Sequence, residues 1–274
     1  MMELMTCISE IMKNEGIELF APVDLGDCRI IKPYLLERTG ITSGSAVMLA
    51  VPYVTDGNES SNLSCYAVPR DYHLYFKELF ERVIPKLKKE FPDSLFAGFA
   101  DHSPIAEVHA AALAGLGVIG KNHLLITKKY SSFVFIGEIL TNIKTDAQNY
   151  GCAECENCGA CLRACPVGLS AEKCLSALSQ KKGVLTEDEK KALANGGSVW
   201  GCDVCQMACP HTKNMTCGSV DFFAEKRLPE LSLSSLDKMT DGEFSERAYS
   251  WRGRDVIRRN LEILGNVGEE NAEK

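Results

Sequence analysis

The hydrophobic pattern changes character partway along the chain. Leu4, Ile8, Ile11 and Met12 recur at helical spacing within residues 3–15 and stop at Gly16, which predicts an amphipathic helix. Ser45 to Val54 holds the unbroken apolar run Ala46-Val47-Met48-Leu49-Ala50-Val51, suited to a fully buried strand. From Asp71 to Glu90, Tyr72, Tyr75, Phe76, Leu79, Phe80 and Val83 again keep helical spacing, and Pro85 is expected to bend or interrupt that helix. Leu95 to Ala100 reads as a strand ending at Asp101. Ser103-Pro104 then reads as an N-cap and first helical residue, with the helix running through Ala110-Ala111-Ala112-Leu113 to Gly115 and Gly117. Two more strands are expected at His123–Thr127 and Phe133–Thr141.

Residues 1–150 therefore alternate helices and strands, as an α/β or α+β domain does. After Tyr150 the chain turns to cysteine, glycine and short helices. A helix is expected over Ser170–Lys182, and Thr186-x-x-Glu189 is a capping-box start for another. From Cys217 onward the residues are charged and helix-prone. The expected organisation is α+β, with domains at 1–150 and 151–217 and a short helical segment at 218–274.

Hydrophobic residues make up 45% and charged residues 24%, ordinary globular usage that leaves room for a real core. The net charge of −7 excludes a polyanion binder unless a local basic patch overrides it. No stretch approaches the roughly 20 apolar residues of a membrane span. The start, Met1-Met2-Glu3-Leu4-Met5, lacks the features of a signal peptide, so a cytoplasmic location is expected. In that reducing compartment thirteen cysteines are not expected to pair as disulfides. Nine of them lie between Cys152 and Cys209, which points to metal ligation.

Cys155-x2-Cys158-x2-Cys161-x3-Cys165-Pro166 has bacterial-ferredoxin spacing, in which the fourth cysteine ligates the other cluster of a pair. A second group, Cys202-x2-Cys205-x3-Cys209-Pro210, also ends in Cys-Pro and lacks one upstream ligand, which Cys174 can supply across residues 175–201. The expected sets for two [4Fe–4S] clusters are Cys155, Cys158, Cys161 and Cys209 for one, and Cys165, Cys174, Cys202 and Cys205 for the other. Structural zinc is the alternative, since Cys-x2-Cys pairs also bind zinc, but two Cys-Pro endings favour iron–sulfur. Cys152-x2-Cys155 extends the pattern upstream, and the proline anchor favours the later register without Cys152. Cys7, Cys28, Cys65 and Cys217 have no partner spacing and read as small buried hydrophobes.

Three further segments, taken with the cysteine region, resemble the epoxyqueuosine reductase family, cobalamin-dependent enzymes of tRNA queuosine biosynthesis. They are Ser64-x-Tyr66-Ala67-x-x-Arg70-Asp71-Tyr72-His73; Asp101-x-x-Pro104-x-x-Glu107 with Ala114-Gly115-Leu116-Gly117-x-x-Gly120-Lys121; and Phe135-Ile136-Gly137-Glu138-Ile139-Leu140. Cys174-Leu175-Ser176 and Gly201-Cys202-Asp203-x-Cys205-Gln206-x-x-Cys209-Pro210 complete the match, which runs from about Ser64 to Asn260. The resemblance implies a corrinoid-binding domain related to that of reductive dehalogenases, a ferredoxin-like domain, and a helical-repeat domain that helps hold tRNA. It also implies cobalamin between the first two domains, the tRNA anticodon region as substrate, an external electron donor, and a monomer. Asp101 matches the family's proton donor, and Ser64, Asp101, Leu125, Ile136, Ser176 and Asp203 fall where the family lines the cofactor. Turning an epoxide into an alkene releases oxygen as water, so a carboxylic acid held neutral by burial is the expected protein contribution. Without the resemblance, Asp101 reads as a helix-capping aspartate.

Gly115-x-Gly117-x-x-Gly120 invites a dinucleotide-fold reading, but these glycines follow a helix and precede a strand, the reverse of that order. The chain departs from the family at Val108, where arginine is usual, at Val118 for tryptophan, at Ser131 for glycine, and at Val68-Pro69. It also stops soon after Asn260 and Gly265-Asn266, where the family's helical repeats begin, so most of that domain is expected to be absent. Arg247, Arg252, Arg254, Arg258 and Arg259 form a basic cluster that either meets phosphate or is a solvated helix face. The leading expectation is a reductase of epoxyqueuosine in tRNA. The alternatives are a corrinoid reductase of a small molecule and an electron-transfer protein.

Overall fold

The structure, a computed structural model, describes residues 3–55 and 61–272. It divides into two compact units. The first comprises Met1–Tyr53, His73–Cys158 and His211–Val220, and the second Val54–Tyr72, Gly159–Pro210 and Asp221–Lys274. The division is interleaved, where the sequence pattern suggested three consecutive domains. Residues 54–72 belong with the cysteine-rich part, and most of the C-terminal segment shares that unit.

The first unit is built on an antiparallel sheet in the order β1-β2-β6-β3, which makes the fold α+β. Its strands are β1 (Leu19–Asp24), β2 (Ser45–Pro52), β3 (Phe96–Phe99) and β6 (Val134–Thr141), while β4 (Val118–Ile119) and β5 (Leu125–Ile126) form a separate pair. All eight residues of β2 are buried, as its unbroken apolar run requires of a central strand covered on both faces. Ala46, Met48 and Ala50 face α4 (Glu107–Leu113), whose Ala110, Ala111 and Ala112 are small enough to let it lie close to the sheet. Helix α3 (Tyr72–Glu90) lays the Phe76 ring on Gly137 of β6 and the Phe80 ring on Gly98 of β3, and the two rings stack 5.7 Å apart. Helix α1 (Leu4–Asn14) buries Leu4, Cys7, Ile8, Ile11 and Met12, the predicted face. The short α2 (Pro33–Thr39) starts on proline and closes on Gly40 at φ 72°.

Two expectations for this unit are corrected. Pro85 does not interrupt α3: it and Glu81 lie on the exposed face, where water can take the freed carbonyl, while Val83 and Leu87 are buried. Ser103 does not cap α4, which begins after Ala106. Its hydroxyl accepts the Ile105 N–H at 3.0 Å and donates to Glu138, so residues 103–106 stay outside the helix. An isolated bridge between Ile30 and Ile105 holds that segment to the preceding chain.

The second unit packs around Trp200, which is fully buried among Leu63, Val68, Leu236, Phe244, Tyr249 and Ile257. Its helices are α5 (Ala160–Ala164), α6 (Leu175–Ser179), α7 (Glu187–Gly196), α8 (Val204–Met207), α9 (Asp221–Ala224), α10 (Leu233–Lys238), α11 (Asp241–Ser245) and α12 (Arg254–Ala272). The helix expected over Ser170–Lys182 is confined to α6. Thr186 and Glu189 form the predicted capping box at the start of α7, and Ser232 and Thr240 open α10 and α11 in the same way. From α12, the buried Asn260 donates to the carbonyls of Ser179 and Val199, both at 2.8 Å. Arg259 donates to those of Lys181 and Gly183, both at 2.7 Å.

A methyl group on Gly137 has no room beneath the Phe76 ring. Gly137→Ala is therefore expected to lower stability by about 1–3 kcal/mol, read as a reduced urea midpoint with an unchanged denaturant slope.

Candidate functional site

In the second unit the cysteine-bearing elements are short and close together. Helix α5 carries Cys161 and packs against α8, which carries Cys205. Cys165 ends α5 with extended backbone (φ −69°, ψ 121°), because the following proline disfavours helix there, and so leaves the helix direction. Burial raises the Cys202 pKa, with Cys174 and Cys165 among the neighbouring charges that add to the rise. Three of the four expected ligands of one cluster thus share a neighbourhood. The other expected set is divided: Cys155 and Cys158 belong to the first unit, Cys161 and Cys209 to the second. Among the described residues, no three His, Cys, Asp or Glu side chains form a group that could hold a metal ion. A cluster spreads its thiolates over separate iron atoms, so its ligands need not converge on one point.

The sequence between these cysteines shapes a polar cradle. Gly201 adopts φ 76°, and a Cβ there would strike the Ser64 side chain, so only glycine lets the two segments approach. The Asp203 carboxylate at the head of α8 then accepts the Ser64 hydroxyl and the Cys65 N–H, each at 2.6 Å, and the Gln206 amide at 3.0 Å. Burial, and next the Asp203 charge, push the Cys65 thiol up to about 12. Ser64 and Asp203, both expected near the cofactor, are thereby brought into direct contact. Ser176 lies on α6 in the same unit and accepts the Gln180 amide at 3.3 Å.

The remaining expected residues lie in the first unit. The Leu125 side chain is buried in the core, and Ile136 is half-buried against the same cluster. Asp101 follows β3 on a left-handed turn (φ 62°), a conformation that aspartate tolerates better than most residues. It caps no helix. Its side chain is 65% exposed, with Oδ2 3.4 Å from Nε2 of His73. Its backbone N–H donates to Oε1 of Glu107 at 2.9 Å. The expectation of an acid held neutral by burial is therefore not met by Asp101. The carboxyl groups withdrawn from water are its neighbours, Glu138 fully buried and Glu107 half-buried: burial pushes Glu107 up to about 7 and raises Glu138 well above the ordinary range. Beside the turn, a groove of about 190 Å³ is lined by His73, Lys77, Phe80, Phe99 and His102 among others.

Sequence reasoning quoted His73, Glu107 and Glu138 within motifs but gave them no role. The signal was present at Glu138, a lone acid inside an otherwise apolar strand. Cys152 donates its thiol to the His109 carbonyl at 3.7 Å, and burial raises its pKa. It lines a cavity of about 320 Å³ with Lys121, His123, Glu154, Cys155 and Asn157. Of the cysteines without partner spacing, Cys7 and Cys28 are buried as expected, and Cys65 and Cys217 are partly exposed.

The basic cluster is largely spent inside its own unit. Arg247 is buried and donates to the Lys226 carbonyl, and Arg254 binds the carbonyls of Leu236 and Met239. Arg258 pairs with Asp237, Arg259 binds the carbonyls described above, and Arg252 lies 3.9 Å over the Trp251 ring.

Comparison with known proteins places these features. Residues 154–212 match the 4Fe–4S double cluster binding domain, which supports two [4Fe–4S] clusters over zinc. An epoxyqueuosine reductase from Lactococcus garvieae is 32% identical over 220 residues, covering 74% of this chain and 61% of the relative. One from Pseudomonas aeruginosa is 30% identical over 273 residues, covering 93% of this chain and 73% of the relative. A crystal structure of epoxyqueuosine reductase with an epoxyqueuosine-modified tRNA-Tyr stem loop matches with a TM-score of 0.74 at 25% identity, covering 95% of this chain and 80% of that one. The chain thus spans under two thirds of the length of the Lactococcus relative. By sequence along most of its length, by fold and by its double-cluster region, the chain belongs to the epoxyqueuosine reductase family.

Proposed function

We propose that the chain is a cobalamin- and iron–sulfur-dependent reductase that converts epoxyqueuosine to queuosine in tRNA. The observation that carries this reading is the double-cluster cysteine region within a chain of this family. The relative that holds a modified tRNA-Tyr stem loop supports tRNA, through its anticodon region, as substrate. Such a substrate fits a monomeric cytoplasmic enzyme with an external electron donor. Among the described residues no helix is long and apolar enough to cross a membrane.

The reaction consumes two electrons and two protons, breaks both epoxide C–O bonds, and yields an alkene and water. In this reading Cys155, Cys158, Cys161 and Cys209 hold one cluster and Cys165, Cys174, Cys202 and Cys205 the other, which pass electrons singly. Bound cobalamin would supply a cobalt centre able to act on the substrate carbon. The chemistry of the partly exposed residues fits it: the Ser176 hydroxyl and the Asp203 carboxylate suit an amide-rich rim and Ile136 is apolar, while the buried Ser64 and Leu125 would back them rather than touch it. Asp101 gives a proton to the departing oxygen. Its exposure leaves the carboxyl open to substrate, and His73 is close enough to reprotonate it or to hold its orientation.

The spent arginines favour a second reading, a corrinoid reductase of a small molecule, because Arg254, Arg258 and Arg259 already have partners within the unit.

Anaerobically reconstituted protein is expected to bind cobalamin and to convert epoxyqueuosine-containing tRNA under reducing conditions. No cobalamin uptake rejects both enzyme readings, and uptake without tRNA conversion favours the second. Asp101→Ala is expected to abolish turnover while retaining iron content and the cobalamin spectrum; wild-type turnover removes Asp101 from the mechanism. Asp203→Ala strands the Cys65 N–H and the Ser64 hydroxyl, so it is expected to cost about 2–3 kcal/mol, and iron analysis is expected to show loss from the cluster beside it.

A further inference from the structure

Glu138 is a fully buried carboxyl group in the middle of the sheet, on β6. Its Oε1 accepts the Ser103 hydroxyl, and its Oε2 is buried with no hydrogen-bond donor among the described residues. The group beside it is the carboxyl of Glu107, the first residue of α4, within hydrogen-bonding contact. Oε1 of Glu107 is occupied by the Asp101 N–H at 2.9 Å. Two ionised carboxylates in this position would leave an acceptor without a donor and two negative charges side by side out of water. One proton between them supplies the missing donor and removes one charge.

We propose that Glu107 and Glu138 share a single proton, and that this makes Glu107 a positioning residue that holds Asp101 on its left-handed turn through the backbone N–H. The catalytic part of this inference rests on the reading of Asp101 as proton donor. The surroundings agree with it. The groups facing the pair are Asp101 on the turn, the Ser103 hydroxyl, Lys32 just before α2, and the Cys28 thiol, which senses the Glu138 charge. Val108, next along α4, packs into the apolar core and brings no cation. Burial is the largest cause of the raised affinity of both acids, and it places Glu107 at about 7.

The folded state thus keeps a proton that an unfolded glutamate releases near its ordinary value of 4.5. Stability is therefore expected to fall as pH rises from about 4.5 through about 7. Through about 7 Glu107 gives up its own proton while the more deeply buried Glu138 keeps the one they share, and the ionised Glu107 accepts the Asp101 N–H more strongly.

The test uses the full, cluster-loaded chain and two readouts that need no turnover. Infrared titration is expected to show a carboxylic-acid carbonyl band that survives beyond about pH 7 in wild type and is missing at that pH in Glu138→Gln. Hydrogen exchange at the Asp101 amide, corrected for its intrinsic pH dependence, is expected to gain protection by about tenfold, the equivalent of one hydrogen bond, on passing from slightly acid to alkaline pH. Glu107→Gln can still accept that N–H and can donate to Glu138, so its protection is expected to be independent of pH. A wild-type spectrum without the acid band near neutrality, or Asp101 protection that ignores pH, overturns the proposal. Turnover adds the catalytic part: the fall in kcat below about pH 7 that follows the weakened hold on Asp101 is expected to disappear in Glu107→Gln, and an unmoved pH profile removes Glu107 as a positioning residue. Should Asp101→Ala keep wild-type turnover, the function assigned to Asp101 fails, while the infrared and exchange results still decide the shared proton.

Discussion

A carboxyl group in the centre of an apolar sheet must find donors within the protein, and the first unit is arranged around meeting that demand for Glu138. Ser103 is drawn out of the helix it would otherwise cap in order to reach it. That keeps residues 103–106 out of the helix and starts α4 at Glu107, where the second carboxyl group meets the first. Glu107 in turn holds the backbone of Asp101. The order of cause therefore runs from a buried charge, through the register of a helix, to the turn that exposes the Asp101 side chain. Substrate chemistry would need that side chain exposed, and desolvation acts on the other two, Glu138 fully buried and Glu107 half-buried. The fold separates the roles over a few residues.

The second unit solves a related problem for its backbone. Its helices are mostly one or two turns long, so a large share of its N–H and C=O groups have no partner inside a helix. Side chains supply the partners: Asp203 for the Cys65 amide, Asn260 and Arg259 for the carbonyls around Ser179, Gly183 and Val199, and Arg254 for the ends of α10. This explains why arginines that suggest a phosphate-binding face are engaged internally. Their charge was legible in the sequence; the carbonyls that consume it were not.

The same contrast separates what could be read in advance from what could not. Local signals held up. The periodicity of α1, the apolar run of β2 and the Thr186–Glu189 capping box depend on neighbours within a few residues, and all three formed as expected. Non-local claims on a residue defeated the local reading. Ser103 looked like a cap until Glu138 competed for its hydroxyl. No strand was expected over β1; it contains Pro22, which an edge strand tolerates, and β1 is an edge strand. The Asp101 motif was visible, but its environment was not, because burial falls on acids placed beside it by the sheet. The cysteine spacing was the clearest signal of all, since ligand geometry is written directly into residue intervals.

The reach of α12 also sets an order of events during synthesis. Asn260 braces the backbone that leads into Gly201 and Cys202, and Arg259 the turn that follows α6, yet both leave the ribosome long after the last framework cysteine. The thiols are thus available to iron before the scaffold that shields them can close. Cluster loading and docking of the final helix become competing processes on a nascent chain, and whichever is completed first determines whether the metal enters an open site or a finished one.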